Sequence, residues 1–286
     1  MKGIILAAGK GTRLYPMTYP VCKPLLPIYD KPMIYYPLGV LLQAGIRDIL
    51  IITPPHGEID AFRRLLGDGG ALGARISYME QPVARGIADA LILGERFIDG
   101  DRVCLVLGDN IFFSPHFGES LSQAIAHEEG ATIFGYYVDD PRPFGVVEFD
   151  AQGNVLSLEE KPRQPKSNYI VPGLYFYDHQ ASEIARGLTP SARGELEITD
   201  VNIEYMRRGQ LKVALLDREF TWFDAGTADS LLAAAAGIKR LQAESGRYIG
   251  CIEETAWRKG FITKEQKDAV GTEMRTTLYG QYLLSL

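Results

Sequence analysis

The sequence predicts an α/β protein whose core is a doubly wound, mostly parallel sheet. Short apolar runs alternate with helical patterns through the first half of the chain, and the connections between them are short. The runs are apolar at nearly every position, as strands are when helices cover both faces of a sheet. The chain has 286 residues, 46% of them hydrophobic and 23% charged, which excludes intrinsic disorder and allows a large core.

The first half of the chain predicts five strands and four helices. Continuous apolar runs predict strands at residues 2–8, 48–53, 74–79, 102–107 and 131–138. Helical spacing of the apolar residues predicts helices at residues 33–44, 58–66, 87–97 and 117–129. Gly45 and Gly67 stand just past the ends of the first two helices, where glycine commonly closes a helix.

The second half predicts an inserted β-hairpin and a helical end. Strands at residues 146–149 and 155–160 are joined by a turn that contains Asp150, Gly153 and Asn154. Further strands are expected at 171–178, 211–215 and 221–224, and helices at 180–186, 199–208 and 227–243. Only helical patterns follow, at 253–259, 264–270 and 273–284. We therefore expect a main domain over residues 1–245 and a helical C-terminal appendage over residues 246–286.

Charge and composition exclude several classes of protein. The 30 basic and 36 acidic residues give a net charge of −6, which argues against a nucleic-acid partner. No apolar run approaches the ~20 residues that cross a bilayer, and the first residues lack the pattern of a secretory signal. The cysteines, Cys22, Cys104 and Cys251, are odd in number and far apart, so neither a disulfide framework nor a zinc site is expected. The expected location is the cytoplasm.

A glycine-containing loop follows the first strand in the segment LAAGKGTRL, residues 6–14. Gly9 and Gly11 let the backbone approach a ligand, and Arg13 adds a charge that suits phosphate. The segment is not a Rossmann fingerprint, because Leu14 stands where a third small residue is needed. It is not a Walker A loop either, because Gly11 follows Lys10 where serine or threonine is required. From these residues alone, an ordinary strand-to-loop turn remains the alternative to phosphate binding.

Charged residues also follow later strands. Asp109 lies just past the strand at 102–107, where open α/β sheets bind ligands and where a carboxylate can hold Mg²⁺. The alternative is that Asp109 caps the next helix, with Asn110 and Ser114 as competing cap candidates. Lys23 lies in a segment stiffened by three prolines, where a surface lysine is the simpler interpretation. In the segment EEKP at residues 159–162, a solvated charge cluster is the simpler interpretation.

Taken together and in this order, the segments LAAGKGTRL, KPLLP, LVLGDN, EEKP and WFDAGT resemble the sugar-1-phosphate nucleotidylyltransferases. The segments YDKPMIYYPL, GVVEF and RGELEITD are similar to the branch of that family that uses dTTP. The resemblance implies a Rossmann-like nucleotidyltransferase fold and a Mg²⁺-dependent reaction of dTTP with α-D-glucose 1-phosphate. The products would be dTDP-glucose, for deoxysugars such as dTDP-rhamnose used in polysaccharides, and pyrophosphate. It also implies a homotetramer that product-like nucleotides inhibit at a separate site.

The resemblance further implies a role for particular residues. Nucleotide-binding residues would be Ala8, Gly9, Gly11, Thr12, Arg13, Lys23, Gln81, Gly86 and Asp109. Sugar-binding residues would be Asn110, Gly145, Glu160, Lys161, Val171 and Tyr175, and the metal would be held by Asp109 and Asp224. Arg13, Lys23 and Lys161 would be catalytic, and Gln81 with Gly86 would contact the thymine edge. The nucleotide-binding part would span about 1–140 and the sugar-binding part about 141–226. Since Glu160 and Lys161 face opposite ways on an ideal strand, both reach one ligand only if the strand is distorted.

Three alternatives differ from this assignment. A related enzyme that uses UTP, another sugar phosphate or several nucleotides would share the chemistry. A non-catalytic sugar-nucleotide sensor would be expected to lack one of the charged residues Arg13, Lys23, Asp109, Lys161 and Asp224, and all are present. An NAD-linked oxidoreductase needs a third fingerprint glycine and an acidic residue ending the second strand, where Leu14 and Thr53 stand.

Overall fold

The structure is a computed structural model that describes residues 1–55, 57–150, 152–217 and 219–286. The strands are β1 Lys2–Leu6, β2 Pro27–Ile28, β3 Lys31–Pro32, β4 Asp48–Thr53, β5 Arg75–Glu80, β6 Val103–Leu107, β7 Asn110–Phe113, β8 Ala131–Tyr137, β9 Gly145–Phe149, β10 Val155–Glu160, β11 Tyr169–Ile170, β12 Leu174–Tyr177, β13 Leu211–Leu215 and β14 Thr221–Asp224. The helices are α1 Tyr35–Gln43, α2 Glu58–Leu66, α3 Asp89–Leu93, α4 Glu95–Ile98, α5 Phe117–Ala126, α6 Ala181–Arg186, α7 Ile198–Arg207, α8 Ala228–Ser245, α9 Ile252–Arg258, α10 Lys264–Glu273 and α11 Leu278–Ser285.

A ten-stranded sheet forms the centre of the fold. Nine of its strands follow the order β10-β9-β11-β8-β12-β6-β1-β4-β5. The tenth strand, β13, pairs with β8 along the same edge of β8 as β11 does. Neighbours among β6, β1, β4 and β5 are parallel, and so are β8 and β13. Strand β12 is antiparallel to both β6 and β8, so β8 runs in the same direction as β6. Only β10, β11 and β12 oppose the common direction, which confirms the predicted mostly parallel sheet.

Helices cover both faces of this sheet. The consecutive residues Ile4 and Ile5 of β1 are fully buried but belong to two different hydrophobic cores, because strand side chains alternate between faces. Ile5 packs in the core that includes Leu38 of α1 and Phe62 of α2. Ile4 packs in the core that includes Leu91 of α3. Burying an isoleucine contributes about 1.5–3 kcal/mol, so the alternation anchors β1 from both sides.

Several predicted elements are corrected by the structure. The helix predicted at 87–97 is two short helices, α3 and α4, that meet at Gly94, where an added Cβ would lie 2.6 Å from Ile4 Cδ1. The strand predicted at 171–178 is the shorter β12, and Val171, Pro172 and Gly173 separate it from β11, which was not predicted. Asn110 begins strand β7 and does not cap a helix. Ser114 is not the cap either, since α5 follows His116 without a side-chain cap.

The second half otherwise follows the predicted pattern. β9 and β10 form the expected antiparallel hairpin, although Ala151 in its turn lies outside the described residues. Helices α9, α10 and α11 confirm the helical C-terminal segment, and α9 packs on α1 of the main body. Its separation from the main domain after residue 245 stays a prediction. Across the described residues, none of the helices has the length and apolar character required to cross a membrane.

Candidate active site

The carboxyl ends of β1 and β6 bring two of the predicted segments together. The strands pair in parallel, with Leu6 beside Leu107, so the loops that follow them start at the same sheet edge. Gly108 donates its N–H to the Leu6 carbonyl at 2.9 Å. An added Cβ at Gly108 would lie 3.1 Å from that oxygen and 3.2 Å from Ala7 Cα. Glycine therefore allows the turn that carries Asp109 to lie directly against the glycine-containing loop.

Lys23 and Asp109 form an ion pair at this edge. Lys23 is only 6% exposed, and its Nζ lies 2.5 Å from Asp109 Oδ2. Asn110 Nδ2 donates to the other carboxylate oxygen, Oδ1, at 2.9 Å. Burial by itself raises the pKa of Asp109, but the Lys23 charge and the two hydrogen bonds outweigh it and hold the pKa below its usual value. Asp109 is therefore an ionised carboxylate held in one orientation.

The side-chain amide of Asn110 forms hydrogen bonds that hold three segments of the chain together around the Asp109 carboxylate. Its Oδ1 accepts hydrogen bonds from Trp222 Nε1 at 2.7 Å and from the Gly173 N–H at 3.1 Å. Strand β14 pairs antiparallel with β7, and the register sets Asp224 opposite Asn110. The Ala225 N–H donates to the Asp109 carbonyl at 3.3 Å. The two predicted metal residues, Asp109 and Asp224, are thus brought together although they lie 115 positions apart in the chain.

The pKa of Asp224 depends on the four other charged residues of the predicted site. Burial and the negative charge of Asp109 raise the pKa of Asp224, while Lys23, Arg13 and Lys161 act in the opposite direction. The four other charged residues therefore all lie within electrostatic range of Asp224.

Arg13 lies at the open side of this charged set. An added Cβ on Gly226 would lie 2.9 Å from Arg13 Nη2 and 3.0 Å from Asp224 Oδ2, so both side chains flank that glycine. Arg13 is exposed and makes no salt bridge within the described ranges. Its charge is therefore free for an anion.

The carboxylate pair fits a hard divalent cation that keeps other ligands. Within the described part of the chain, no cluster of three or more His, Cys, Asp or Glu side chains could hold a metal ion. Burial, followed by repulsion from the Asp109 carboxylate, raises the pKa of Asp224, and a dication would relieve that repulsion. Mg²⁺ commonly binds one or two carboxylates and completes its shell with water and phosphate oxygens. The donor set thus fits Mg²⁺ provided that phosphates supply further ligands.

The predicted sugar-binding residues meet beside the hairpin. Gly145 and Glu160 are register partners in β9 and β10, and the Val171 N–H donates to the Gly145 carbonyl at 2.8 Å. Glu160 Oε2 accepts from Thr199 Oγ1 at 2.6 Å. Burial, followed by the charges of Glu160 and Asp109, raises the pKa of Tyr175. Tyr175 therefore lies within electrostatic range of both Glu160 and Asp109.

Lys161 shows the distortion that the predicted arrangement requires. Its φ is 46°, in the left-handed region, and its N–H donates to the Phe144 carbonyl at 3.0 Å. Lys161 Nζ lies 3.5 Å from Glu160 Oε1, so these neighbouring side chains lie on one side of the chain. A non-glycine residue in this conformation costs on the order of 1–2 kcal/mol. The strand alternation ends at Glu160, and Lys161 turns towards the carboxylates.

This strain allows stability and activity to be separated. Lys161→Gly removes the steric cost of the left-handed backbone, so the free energy of unfolding is expected to be unchanged or up to about 1 kcal/mol higher. The same variant removes the charge, so kcat/KM for the sugar phosphate that the family resemblance implies is expected to fall at least about tenfold. Chemical denaturation and steady-state kinetics measure the two effects. A variant with lower stability and normal kinetics would contradict both assignments.

The glycine-containing loop presents unpaired N–H groups. Those of Gly9, Lys10 and Gly11 donate to no backbone carbonyl within the described residues. Gly11 has a φ of 62°, and its carbonyl accepts from Thr18 Oγ1 at 2.8 Å. Successive free N–H groups form a concavity that suits an anion. Ala8 before them is buried, whereas Thr12 after them is exposed.

Gln81 and Gly86 lie further along the same sheet edge. Gln81 directly follows β5, is 4% exposed, and donates its N–H to the Thr53 carbonyl at 2.9 Å. Its Nε2 donates to Asp89 Oδ2 at 2.8 Å. Gly86 has a φ of 106° and packs against the backbone of Leu196. Sequence reasoning missed Asp89, since an acidic residue in a helical pattern carries no signal of a buried contact.

Two cavities lie apart from the carboxylate pair. One, of about 400 Å³, is lined by residues that include Tyr36, Phe112, Tyr248 and Arg258. The other, of about 590 Å³, lies between α6 and α7. None of the predicted site residues lines either cavity, so the charged set forms a separate site at the edge of the sheet.

The parallel-strand edge with its clustered cations and carboxylates is that of a nucleotide-handling α/β enzyme. The family described as nucleotidyl transferase matches residues 2–240, and the chain belongs to this family.

Within the family, similar proteins are glucose-1-phosphate thymidylyltransferases. The one from Neisseria gonorrhoeae is 56% identical over 286 residues, covering 100% of this chain and 99% of the relative. The one from Mycobacterium tuberculosis is 54% identical over 286 residues, which cover 100% of this chain and 99% of the relative. A crystal structure of a proposed glucose-1-phosphate thymidylyltransferase from Bacillus anthracis, in complex with sucrose, is 43% identical. It has a TM-score of 0.76 and covers 82% of this chain and 94% of that one.

Proposed function

We propose that this chain catalyses the reaction of dTTP with α-D-glucose 1-phosphate to give dTDP-glucose and pyrophosphate. The observation that carries the proposal is the convergence of Arg13, Lys23 and Lys161 on the carboxylates of Asp109 and Asp224. The names of the similar proteins support the choice of nucleotide and sugar.

The reaction requires one anion to attack another. An oxygen of the sugar phosphate forms a bond to the α-phosphorus of dTTP, and the bond from that phosphorus to the bridging oxygen of pyrophosphate breaks in line. Holding the two substrates in that geometry can supply about 7–11 kcal/mol of the barrier. Cations aimed at the developing charge add to this, so the protein needs to position and neutralise but supplies no nucleophile.

The residues divide between the two substrates. The free N–H groups of residues 9–11 and Arg13 bind the triphosphate, and Lys23 neutralises the charge that develops at the α-phosphate. Lys161 neutralises the phosphate of the sugar, and the carboxylate of Glu160 accepts hydrogen bonds from sugar hydroxyls. Cys22, next to Lys23, is not a competing nucleophile, because burial and then the nearby Glu58 carboxylate raise its pKa and keep it a thiol.

The carboxylates of Asp109 and Asp224 would hold Mg²⁺. When bound, the ion neutralises phosphate charge and orients the triphosphate. The protein's own contribution is to keep Asp109 ionised through Lys23 and oriented through Asn110. Because burial and the Asp109 charge raise the pKa of Asp224, a bound dication would favour its ionised form and lower that pKa.

Several broader features belong to the same proposal. A homotetramer, a cytoplasmic location and a supply of dTDP-glucose for deoxysugar synthesis follow the family resemblance, as does the division into nucleotide-binding, sugar-binding and C-terminal parts. A separate regulatory site for a product-like nucleotide also follows the resemblance, and the 400 Å³ cavity, whose lining includes Arg247, Glu254 and Arg258, is a place to seek it.

A substrate panel tests the proposal. Release of pyrophosphate is measured for dTTP, dUTP, UTP, dCTP, ATP and GTP, each with glucose 1-phosphate, galactose 1-phosphate and mannose 1-phosphate. The proposal expects the highest kcat/KM for dTTP with glucose 1-phosphate and no turnover without a divalent cation. A higher kcat/KM for UTP would favour a uridylyltransferase, and no turnover with any pair would favour a non-catalytic sensor.

A further inference from the structure

Asp89 is a buried carboxylate to which the reaction assigns no role. It begins helix α3 and is 1% exposed. One of its oxygens, Oδ2, accepts from Gln81 Nε2 at 2.8 Å, and the other, Oδ1, accepts from Arg85 Nη2 at 2.7 Å. Both partners only donate to it, as a carboxylate requires. The side chain therefore fixes which end of the Gln81 amide faces the protein.

The loop around Asp89 is itself held in place. The Leu196 N–H donates to the Arg85 carbonyl at 2.6 Å, and the Ala88 N–H donates to the Leu196 carbonyl at 3.1 Å. The close packing of Gly86 on Leu196 adds a third contact to the same segment. Asp89 is consequently a rigid support, and the amide that it orients cannot turn without losing a buried hydrogen bond.

The opposite end of the Gln81 amide is the one left for a ligand. Gln81 Oε1 accepts no hydrogen bond from the residues that the structure describes, and it is not among the polar atoms that are sealed from solvent without a partner. Of the amide's two N–H bonds, one is committed to Asp89. The carbonyl is therefore available as an acceptor, with one N–H of the amide remaining beside it.

We propose that Asp89 is a positioning residue that makes Gln81 present a carbonyl oxygen to the nucleobase, and so selects pyrimidines that carry a ring N–H at position 3. This inference rests on the proposed function and on the contact between Gln81 and the base that the family resemblance implies. Thymine and uracil donate from N3, whereas cytosine has an acceptor nitrogen there. An acceptor facing an acceptor leaves both buried groups unpaired, which costs far more than a missing apolar contact.

The isosteric change Asp89→Asn tests this inference because it is expected to reverse which end of the Gln81 amide faces the base. The Arg85 guanidinium only donates, so it keeps the oxygen of the new amide and turns the new NH₂ group towards Gln81. Gln81 then satisfies that donor with its carbonyl and presents its own NH₂ group to the base. A donor at this position suits the N3 acceptor of cytosine and opposes the N3–H of thymine and uracil.

The expected result is a change in base preference. The ratio of kcat/KM for dUTP to kcat/KM for dCTP isolates the base edge, because both nucleotides lack the 5-methyl group. In Asp89→Asn this ratio is expected to fall at least about tenfold, while KM for glucose 1-phosphate stays unchanged. Asp89→Ser leaves the Gln81 amide free to turn and is expected to lower the ratio by a smaller factor. This second variant tests the inference if Asp89→Asn does not fold.

The matched control is Asp178→Asn. Asp178 is another buried aspartate, which accepts from Tyr205 Oη at 2.7 Å, and it lies at the opposite end of the sheet, beyond the start of β6. Its replacement is expected to lower stability and leave the dUTP to dCTP ratio unchanged. If the wild type is active with dTTP but Asp89→Asn keeps the ratio within about twofold, the inference is wrong and the proposed function stands. If the wild type turns over no nucleoside triphosphate, both fail.

Discussion

Replacing Lys23 by alanine is expected to lower kcat at least about 100-fold, the typical cost of losing one group that stabilises developing charge. The Lys23 side chain is buried, at 6% exposed, and its Nζ lies 2.5 Å from Asp109 Oδ2. Because this position is enclosed by the protein, no side chain from the surface can replace the lost ammonium group. Loss of the lysine also leaves Asp109 beside Asp224 without its cation, which raises the pKa of Asp109 and weakens it as a metal ligand. The measurement is single-turnover formation of the sugar nucleotide at saturating substrates.

The control for this variant is Lys166→Ala. Lys166 Nζ pairs with Glu159 Oε1 at 2.7 Å, and its side chain is 53% exposed, so its loss is expected to change kcat by less than about twofold. Lys23→Ala also loses a buried ion pair, so circular dichroism must show that it is folded at the assay temperature. A folded Lys23→Ala variant with a normal kcat would exclude the role given to Lys23.

The double variant Asp109→Asn/Asp224→Asn is expected to lose metal-dependent turnover, by at least about 1,000-fold. Stabilisation of phosphate charge by a metal is worth several kcal/mol, and each ~1.4 kcal/mol is a factor of ten in rate. Asparagine keeps the shape of both side chains but removes the two charges that a dication needs. Pyrophosphate release is measured over a range of Mg²⁺ concentrations, and wild-type activity in the double variant would contradict the metal assignment.

The two single variants are expected to change stability in opposite directions without metal. The pKa of Asp224 is raised, so its ionised form costs stability at neutral pH, and Asp224→Asn is expected to raise Tm there. That gain disappears as the pH falls below the pKa of the unfolded chain, where Asp224 is protonated in both states. The pKa of Asp109 is lowered, so its ionised form contributes stability at neutral pH, and Asp109→Asn is expected to lower Tm. Thermal unfolding in a metal chelator measures both, and equal shifts of the same sign would contradict the electrostatic account.

Local pattern predicts most of the fold because these elements are regular over their whole length. Helix α2 and strands β13 and β14 have the bounds that apolar spacing and their flanking turn residues indicate. Gly94 is different: its effect on the predicted helix 87–97 depends on the close approach of Ile4, a residue 90 positions earlier. Strand β7 forms because β14 pairs with it, and a four-residue apolar stretch cannot reveal that partner.

The charged part of the site could be predicted, while its supporting contacts could not. Five charged residues follow strand ends or lie in segments that resemble the family. The structure brings them together around Asp224: Arg13, Lys23, Asp109, Lys161 and Asp224 itself. The pairing of Lys23 with Asp109 and the left-handed turn at Lys161 are three-dimensional facts with no local signal. Asp89 lies in an ordinary helical pattern, and only its burial beside Gln81 distinguishes it.

The stereochemical course at the α-phosphorus tests the central claim most directly. The account requires the sugar phosphate to displace pyrophosphate in one in-line step, with cations and a metal but no protein nucleophile. With glucose 1-phosphate and dTTP that carries one sulfur on the α-phosphorus in a single configuration, the sugar nucleotide is predicted to show inversion at phosphorus. Retention would mean two displacements through a nucleotide covalently bound to the protein, and it would contradict the account.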